Sequence, residues 1–414
     1  MKSKHFQYPA VDEREPILIG ARNLKMARSA HAYVRGNTLQ FYEWLDALDV
    51  GVLPEGPPIW ICGDCHVGNI GPIADAEGRI EIEIRDLDQT VIGNPAHDLV
   101  RLGLSLASAA RGSDLPGVAT AQMLEQMIEG YEQAFDAPDG KVAADIPQTV
   151  HFAMKQAAKR SWKHLARERI EDTDPIIPLG KRFWPISDAE KQDIVLLFET
   201  EQVHQLATML RSRADDAAVQ LLDAAFWMKG CSSLGLLRYC ALLGVGGPSF
   251  ADMDMCLIDV KEAAKAAAPR CAAVEMPSDD ARRVVEGARR LSPFLGERMR
   301  ADHLLDRPVF IRELLPQDLK IEISAMSHDE AGKAARFLAA VVGKAHARQM
   351  DEGTRTGWRM ELSRSRSKTL EAPSWLWSSV VDLLVSHERG YLEHCRKHAS
   401  AANVSAAPRL RSAL

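Results

Sequence analysis

A chain of 414 residues with 51 Lys and Arg against 57 Asp and Glu, a net charge of −6, has room for two cores. It has no global basic field that would draw it to nucleic acid or an anionic membrane. Its 46% hydrophobic share is that of an ordinary globular protein, and seven thinly spread cysteines suit reduced thiols better than a disulfide framework. Met1–Gln7 lacks the apolar core of an export signal, and no apolar run approaches the roughly 20 residues that span a bilayer. The expectation is a cytoplasmic protein with no membrane association.

Residues 22–48 carry helical spacing, with a break near Gly36. Pro54, Gly56, Pro57 and Pro58 stop it. Ile59-Trp60-Ile61-Cys62 reads as a short buried strand leading into a Gly63-Asp64 turn, and Ile80, Ile82 and Ile84 alternate with Glu81, Glu83 and Arg85 as a half-buried strand. From about 95 to 225 the pattern is helical, interrupted by Asp174–Pro178. Strands are expected over Phe226–Leu243, Met255–Val260 and Val309–Leu315, with a capped helix over Ser278–Leu291 between the last two. Helices return at 327–350 and 374–397, and the tail from Ala399 is low in complexity.

Two stretches carry chemistry. Asp64 and Asn69 sit five residues apart on one glycine-bearing loop, and Asp86-Leu87-Asp88 ends the next strand. Phosphoryl transfer needs a carboxylate at the acceptor hydroxyl and oxygen ligands for Mg²⁺ on the nucleotide phosphates. Asp64 suits the first task; Asn69 and Asp86, with Asp88 as a further ligand, suit the second. The other stretch is Lys229–Gly235 between strands, where Gly230, Ser232, Ser233 and Gly235 let backbone N–H groups approach phosphates. Lys261 then steadies the α- and β-phosphates and pairs with an acid, Glu286 on the following helix or Glu275 before it.

Gly63-Asp64-x-His66-x-x-Asn69, followed by Asp86 and by Gly93-Asn94-Pro95-Ala96-His97-Asp98-Leu99, resembles the catalytic and metal-binding loops of aminoglycoside phosphotransferases and choline kinases. Nearly the whole chain also resembles the uncharacterised bacterial family called domain of unknown function 2252. Met26–Gly36, the Asp64 and Asp86 motifs and Val260-Lys261-Glu262-Ala263 carry that likeness. The resemblance implies an ATP- and Mg²⁺-dependent phosphotransferase of α+β, protein-kinase-like fold. Asp98 would then hydrogen-bond the catalytic-loop backbone. Ala339–Arg348 is similar to the helix that ordinarily precedes that loop. Here the catalytic loop comes before the glycine turn and lysine, so the fold reads as circularly permuted. Residues 1–221 would form a helical catalytic lobe, 222–318 a β-rich nucleotide lobe, and 319–414 helices completing the first. The acceptor is expected to be a small molecule with a hydroxyl group.

Rival readings share these residues. An altered kinase-like protein would bind nucleotide as a regulator or transfer AMP. Cys62 and Cys65 form a C-x-x-C pattern that would suit thiol redox chemistry, although it follows a strand rather than opening a helix. His66 and His97 could join them around zinc only without a second C-x-x-C. Cys62-Gly63-Asp64-Cys65-His66 also matches the haem-attachment pattern, without an export signal to support it. His66 reads as a brace of the loop. Arg35 and Lys25 could reach a phosphate or lie on a solvated helix face; Trp375 and Trp377 suit a core better than a pocket.

Overall fold

The computed structural model describes residues 7–112, 117–138, 140, 145–160, 176–247, 252–319, 328–364 and 372–404. Over these residues the chain is a mixed α and β protein with thirteen helices and antiparallel sheets. None of the described helices is long and apolar enough to cross a membrane.

Three helices open the chain: α1 (Val11–Met26), α2 (Ala30–Gly36) and α3 (Thr38–Asp46). The break expected at Gly36 therefore has a companion near Arg28. Both follow from polar caps: Ser29 Oγ accepts from Ala32 N at 3.1 Å, and Asn37 Oδ1 accepts from Gln40 N at 3.4 Å.

Four short strands follow: β1 (Ile59–Ile61), β2 (Ile70–Ala74), β3 (Ile80–Ile84) and β4 (Val91–Gly93). β1 pairs with β4, and β2 pairs with β3 in a hairpin. Helices α4 (Ala96–Gly112), α5 (Gly117–Gln133) and α6 (Gln148–Lys159) come next. They are joined late in the chain by α11 (His328–Ala347), α12 (Glu352–Ser363) and α13 (Ser374–Val404). The α5–α11 seam is tight because it runs over glycine: a Cβ at Gly130 would lie 2.1 Å from the Arg336 carbonyl oxygen. Helices from the two ends of the chain lie together, with Trp44 Nε1 donating to Asp382 at 2.7 Å and Gln40 to the Ser386 carbonyl at 2.9 Å.

The third sheet has six antiparallel strands in the order β5-β6-β7-β8-β10-β9. These are β5 (Phe183–Trp184), β6 (Val219–Trp227), β7 (Arg238–Val245), β8 (Asp254–Glu262), β9 (Met299–Leu304) and β10 (Arg307–Glu313). Two of them interrupt the stretch expected to be helical. β5 is only two residues long, but its rings stack on β6: Phe183 on Trp227 at 5.6 Å and Trp184 on Phe226 at 5.7 Å. β6 begins at Val219, so the boundary expected at 221/222 falls inside a strand. β9 was also unforeseen.

One face of this sheet, with Cys256, Ile258 and Val260, packs on α7 (Asp188–Phe198) and α8 (Glu201–Thr208) through Ile194, Leu197, Val203 and Leu206. Leu18 and Ala21 of α1 join that cluster. These helices, expected to belong with the catalytic part, therefore pack on the sheet. Each fully buried Leu or Ile there contributes about 2 kcal/mol. On the other face the alternation of β8 places Met255 and Leu257 in an apolar cluster, then Asp259 and Lys261 further along. Helices α9 (Asp280–Leu291) and α10 (Pro293–Glu297) follow β8. Asp279 Oδ1 caps α9 by accepting from Arg282 N at 2.8 Å.

Candidate active site

β1 delivers the chain to Gly63, whose φ of +74° lies in the left-handed region. A Cβ here would lie 2.1 Å from the Gln89 carbonyl oxygen, so only glycine fits. The two orphan backbone donors at this turn go to one side chain: Asp98 accepts from Cys62 N at 2.7 Å and from Gly63 N at 2.9 Å. Asp98 is itself fully buried and held by His346 Nε2 at 3.1 Å. The chain of contacts continues from His346 Nδ1 to the Tyr131 hydroxyl at 2.9 Å, onto which Trp358 Nε1 donates at 3.1 Å. Tyr42 donates to the Gly63 carbonyl at 2.6 Å, and Val67 N to Ser105 Oγ at 3.2 Å. The loop from Gly63 to Asn69 is thus held by α3, α4, α5 and α11 together.

Asp64 lies on this braced loop with its carboxylate largely buried. Arg101 of α4 donates from Nε at 2.9 Å and approaches through Nη2 at 2.8 Å, both toward Oδ1. Burial pushes the Asp64 carboxyl above the ordinary aspartate range, and the Arg101 charge opposes that rise. Asn69 Nδ2 donates to the Asp64 carbonyl at 3.0 Å, a cross-loop bond that occupies its nitrogen. His66 is buried with Nε2 4.0 Å from the Asp64 carboxylate. Burial and the charges of Arg35 and Arg101 drive its pKa well down, so the ring is neutral.

The strand-end acids meet the sheet. Lys261 of β8 is buried; its Nζ lies 3.5 Å from Asp86 Oδ1 and pairs directly with Asp88. The two acids are close enough to influence one another. Lys261 holds Asp86 down, while burial and the Asp86 charge push Asp88 up. Asp88 Oδ1 is buried without a hydrogen-bond partner, and the Asp86 side chain is 47% exposed. Two carboxylates and an amide oxygen are hard donors, and phosphate oxygens would fill out an octahedral Mg²⁺ shell. The donor chemistry fits the metal. Among the described residues no group of three or more His, Cys, Asp or Glu stands ready for a metal.

The expected partners of Lys261 are elsewhere. Glu286 and Glu275 are exposed, and neither forms an ion pair with Lys261 among the described residues. The buried face of α9 runs Ala281, Val284, Val285, Ala288 and Leu291, which turns position 286 outward. Arg283 on the same helix instead donates to the carbonyls of Asp88, Thr90 and Ala264 at 3.1, 2.5 and 2.8 Å, tying α9 to the acid-bearing loop.

Sequence reading missed the charged surface beside Lys261. Arg238 of β7 stands opposite Lys261 in the sheet register, and Arg312 of β10 stands opposite Asp259. Arg238 grips Asp259 at 2.9 and 2.5 Å, and Arg312 lies 3.5 Å from the same carboxylate. The signal was present: charged residues spaced two apart inside otherwise buried strands. Arg101, three residues after Asp98 on one helix face, was equally legible in hindsight.

Gly230 and Gly235 both have positive φ, +96° and +108°, and Ser233 Oγ contacts the Lys229 carbonyl at 3.5 Å. Ser232 lies exposed in the same turn. Lys25 Nζ reaches the Gly230 carbonyl at 3.1 Å. Trp375 is a core residue, its Nε1 donating to the Leu362 carbonyl at 3.4 Å, and Trp377 packs against that core. Cys62 and Cys65 are free and fully buried, and their surroundings push both thiols up. An attacking thiolate needs the opposite shift. A cavity of 740 Å³ lies between α7 and β6, lined by Ile194, Val219 and Leu221, and contains none of the candidate residues.

The profile of a protein family described as "Uncharacterized protein conserved in bacteria (DUF2252)" matches residues 14–397. No curated protein and no solved structure matches the chain. The chain belongs to this DUF2252 family.

Proposed function

We propose that this DUF2252 member is an ATP- and Mg²⁺-dependent phosphotransferase with a protein-kinase-like, circularly permuted fold, acting on a small-molecule hydroxyl acceptor. The observation that carries the reading is the meeting of Lys261 with Asp86 and Asp88. These groups come from stretches far apart in sequence and are the cation and acids that a nucleotide-phosphate site requires. Mg²⁺, when bound, would neutralise the phosphate oxygens; Asp86, Asp88 and the Asn69 amide oxygen would hold it. Lys261 steadies the α- and β-phosphates, and Gly230, Ser232, Ser233 and Gly235 let the backbone close over them. Asp64 accepts the proton of the acceptor hydroxyl as its oxygen bonds to the γ-phosphorus and the bond to the departing ADP oxygen breaks. The raised pKa of Asp64 suits that task, since a base works best when its pKa approaches the operating pH.

One observation favours AMP transfer as a second reading. The sheet surface flanking Lys261 carries Arg238, Asp259 and Arg312, whereas a nucleobase calls for an apolar slot. Phosphates rather than a base suit that surface, and a nucleotide lying the other way round would offer its α-phosphate to the acceptor. Incubating the protein with ATP, Mg²⁺ and a metabolite extract and weighing the products distinguishes the two, because AMP adds far more mass than phosphate. Phosphorylated products that vanish with Asp64→Ala support phosphoryl transfer, and adenylylated ones support the second reading. The absence of both products, or equal turnover by Asp64→Ala, refutes the mechanism.

A further inference from the structure

We infer that Arg22, Lys25 and Arg35, carried by α1 and α2, form a cationic clamp for the terminal phosphates of a nucleoside triphosphate. The inference rests on the nucleotide-binding reading above and assigns residues that its motifs leave without a role.

The clamp bridges the two loops that reading invokes. A Cβ at Gly68, in the Asp64–Asn69 loop, would lie 2.8 Å from Arg35 Nη2 and 2.9 Å from its Cζ, so the guanidinium rests directly against that loop. A Cβ on the adjacent Gly36 would lie 3.0 Å from Cys231 Sγ, in the glycine-bearing β6–β7 turn. Lys25 donates to the Gly230 carbonyl of the same turn at 3.1 Å. The charges around the Cys231 thiol are Lys25, Arg22, Arg35 and Arg28, all cations.

Among the described residues, no carboxylate lies within 4.0 Å of Arg22, Lys25 or Arg35. The Nε atoms of Arg22 and Arg35 are buried without a hydrogen-bond partner. The Nε atoms of Arg14 and Arg298 are also without a partner, but those side chains still meet an acid through a terminal nitrogen: Arg14 pairs with Glu190 and Arg298 with Asp318, as Arg213 pairs with Glu313 and Arg238 with Asp259. Like charges gathered without a counter-charge repel one another, and a polyanion offsets that repulsion. Arginine's planar donors suit phosphate oxygens. The position between the glycine turn and the Asp64–Asn69 loop is where phosphates extending from Lys261 would pass.

The test titrates the full chain calorimetrically with Mg²⁺-ATP, Mg²⁺-ADP and sodium tripolyphosphate, comparing wild type with Arg35→Met, Arg22→Met and Arg35→Lys. Losing one charge-assisted contact should weaken ATP and tripolyphosphate by about tenfold, with a much smaller change for ADP and partial recovery in Arg35→Lys. Equal weakening of ATP and ADP, or no weakening in a variant that melts like wild type, overturns the clamp. Should Arg35→Met fail to fold, Lys25→Met is read in the same way. The two layers separate cleanly. ATP binding indifferent to all these residues removes the clamp and leaves the nucleotide reading. Arg35-dependent binding of tripolyphosphate without ATP binding removes the reading and leaves the anion site. Binding of neither ligand to wild type refutes both.

Discussion

Asp64 is both the proposed base and the most constrained acid of its loop. Its carboxyl sits above the ordinary aspartate range because burial outweighs the Arg101 charge. A base must be ionised, so transfer activity should fall on the acid side through a pKa higher than that of a free aspartate. Arg101→Gln removes the stabilising positive charge and should move that acid limb further up in pH, which a pH–rate profile reads directly. An unmoved limb would mean that another group limits the rate. Asp64, Asn69, Asp86 and Lys261 all follow from motif spacing, and the fold sets Lys261 Nζ 3.5 Å from Asp86 Oδ1. Arg101 and Arg238 did not, because their roles depend on which strand or helix lies opposite, and one-dimensional spacing does not report that.

At the scale of elements, the Gly63–Asn69 loop is held less by its own residues than by α4 and α11. Asp98→Ala would leave the buried N–H groups of Cys62 and Gly63 without their acceptor and His346 without its partner. The expected cost is about 3 kcal/mol, measured as a lower urea midpoint with unchanged slope. A loss within 0.5 kcal/mol, roughly that of an exposed substitution, would contradict the bracing role. Gly130→Ala should also destabilise, by roughly 2 kcal/mol, since its Cβ would meet backbone of α11 rather than a movable side chain. An unchanged melting temperature would show that the seam can open.

Elements with strong periodicity were legible in the sequence: β1, β3, β8, β10 and the capped α9 lie close to where the pattern puts them. β5 and β9 were not. A two-residue strand has no period to detect, and Met299-Arg300-Ala301-Asp302-His303-Leu304 lies on the sheet edge, where solvent removes the demand for alternation. The Lys261–Glu286 expectation ignored helix phase, since 281, 284, 285, 288 and 291 already define the inward face.

At the scale of the whole molecule, a buried acid away from the candidate site links stability to pH. Glu83 of β3 is nearly inaccessible and accepts long hydrogen bonds from Phe294 N at 3.5 Å and Leu295 N at 3.4 Å. Burial raises its pKa to about 7. The folded chain therefore holds this proton more tightly than the unfolded chain does. Its contribution to stability is fully present below the unfolded pKa and declines as pH rises through about 7. Glu83→Gln should raise the melting temperature at pH 8 relative to wild type, and the difference should shrink toward pH 4. A difference independent of pH would place the proton elsewhere.

The proposed function requires β8 and the Asp86-Leu87-Asp88 segment to share one nucleotide. Calorimetric titration of Mg²⁺-ATP into wild type, Lys261→Met and Asp86→Asn tests it most directly. Wild type should bind ATP in a Mg²⁺-dependent manner, and each variant should bind at least about tenfold more weakly while Asp64→Ala binds as wild type does. Wild-type protein that gives no binding heat and no ATP-induced rise in melting temperature, or ATP binding indifferent to both substitutions, would contradict it.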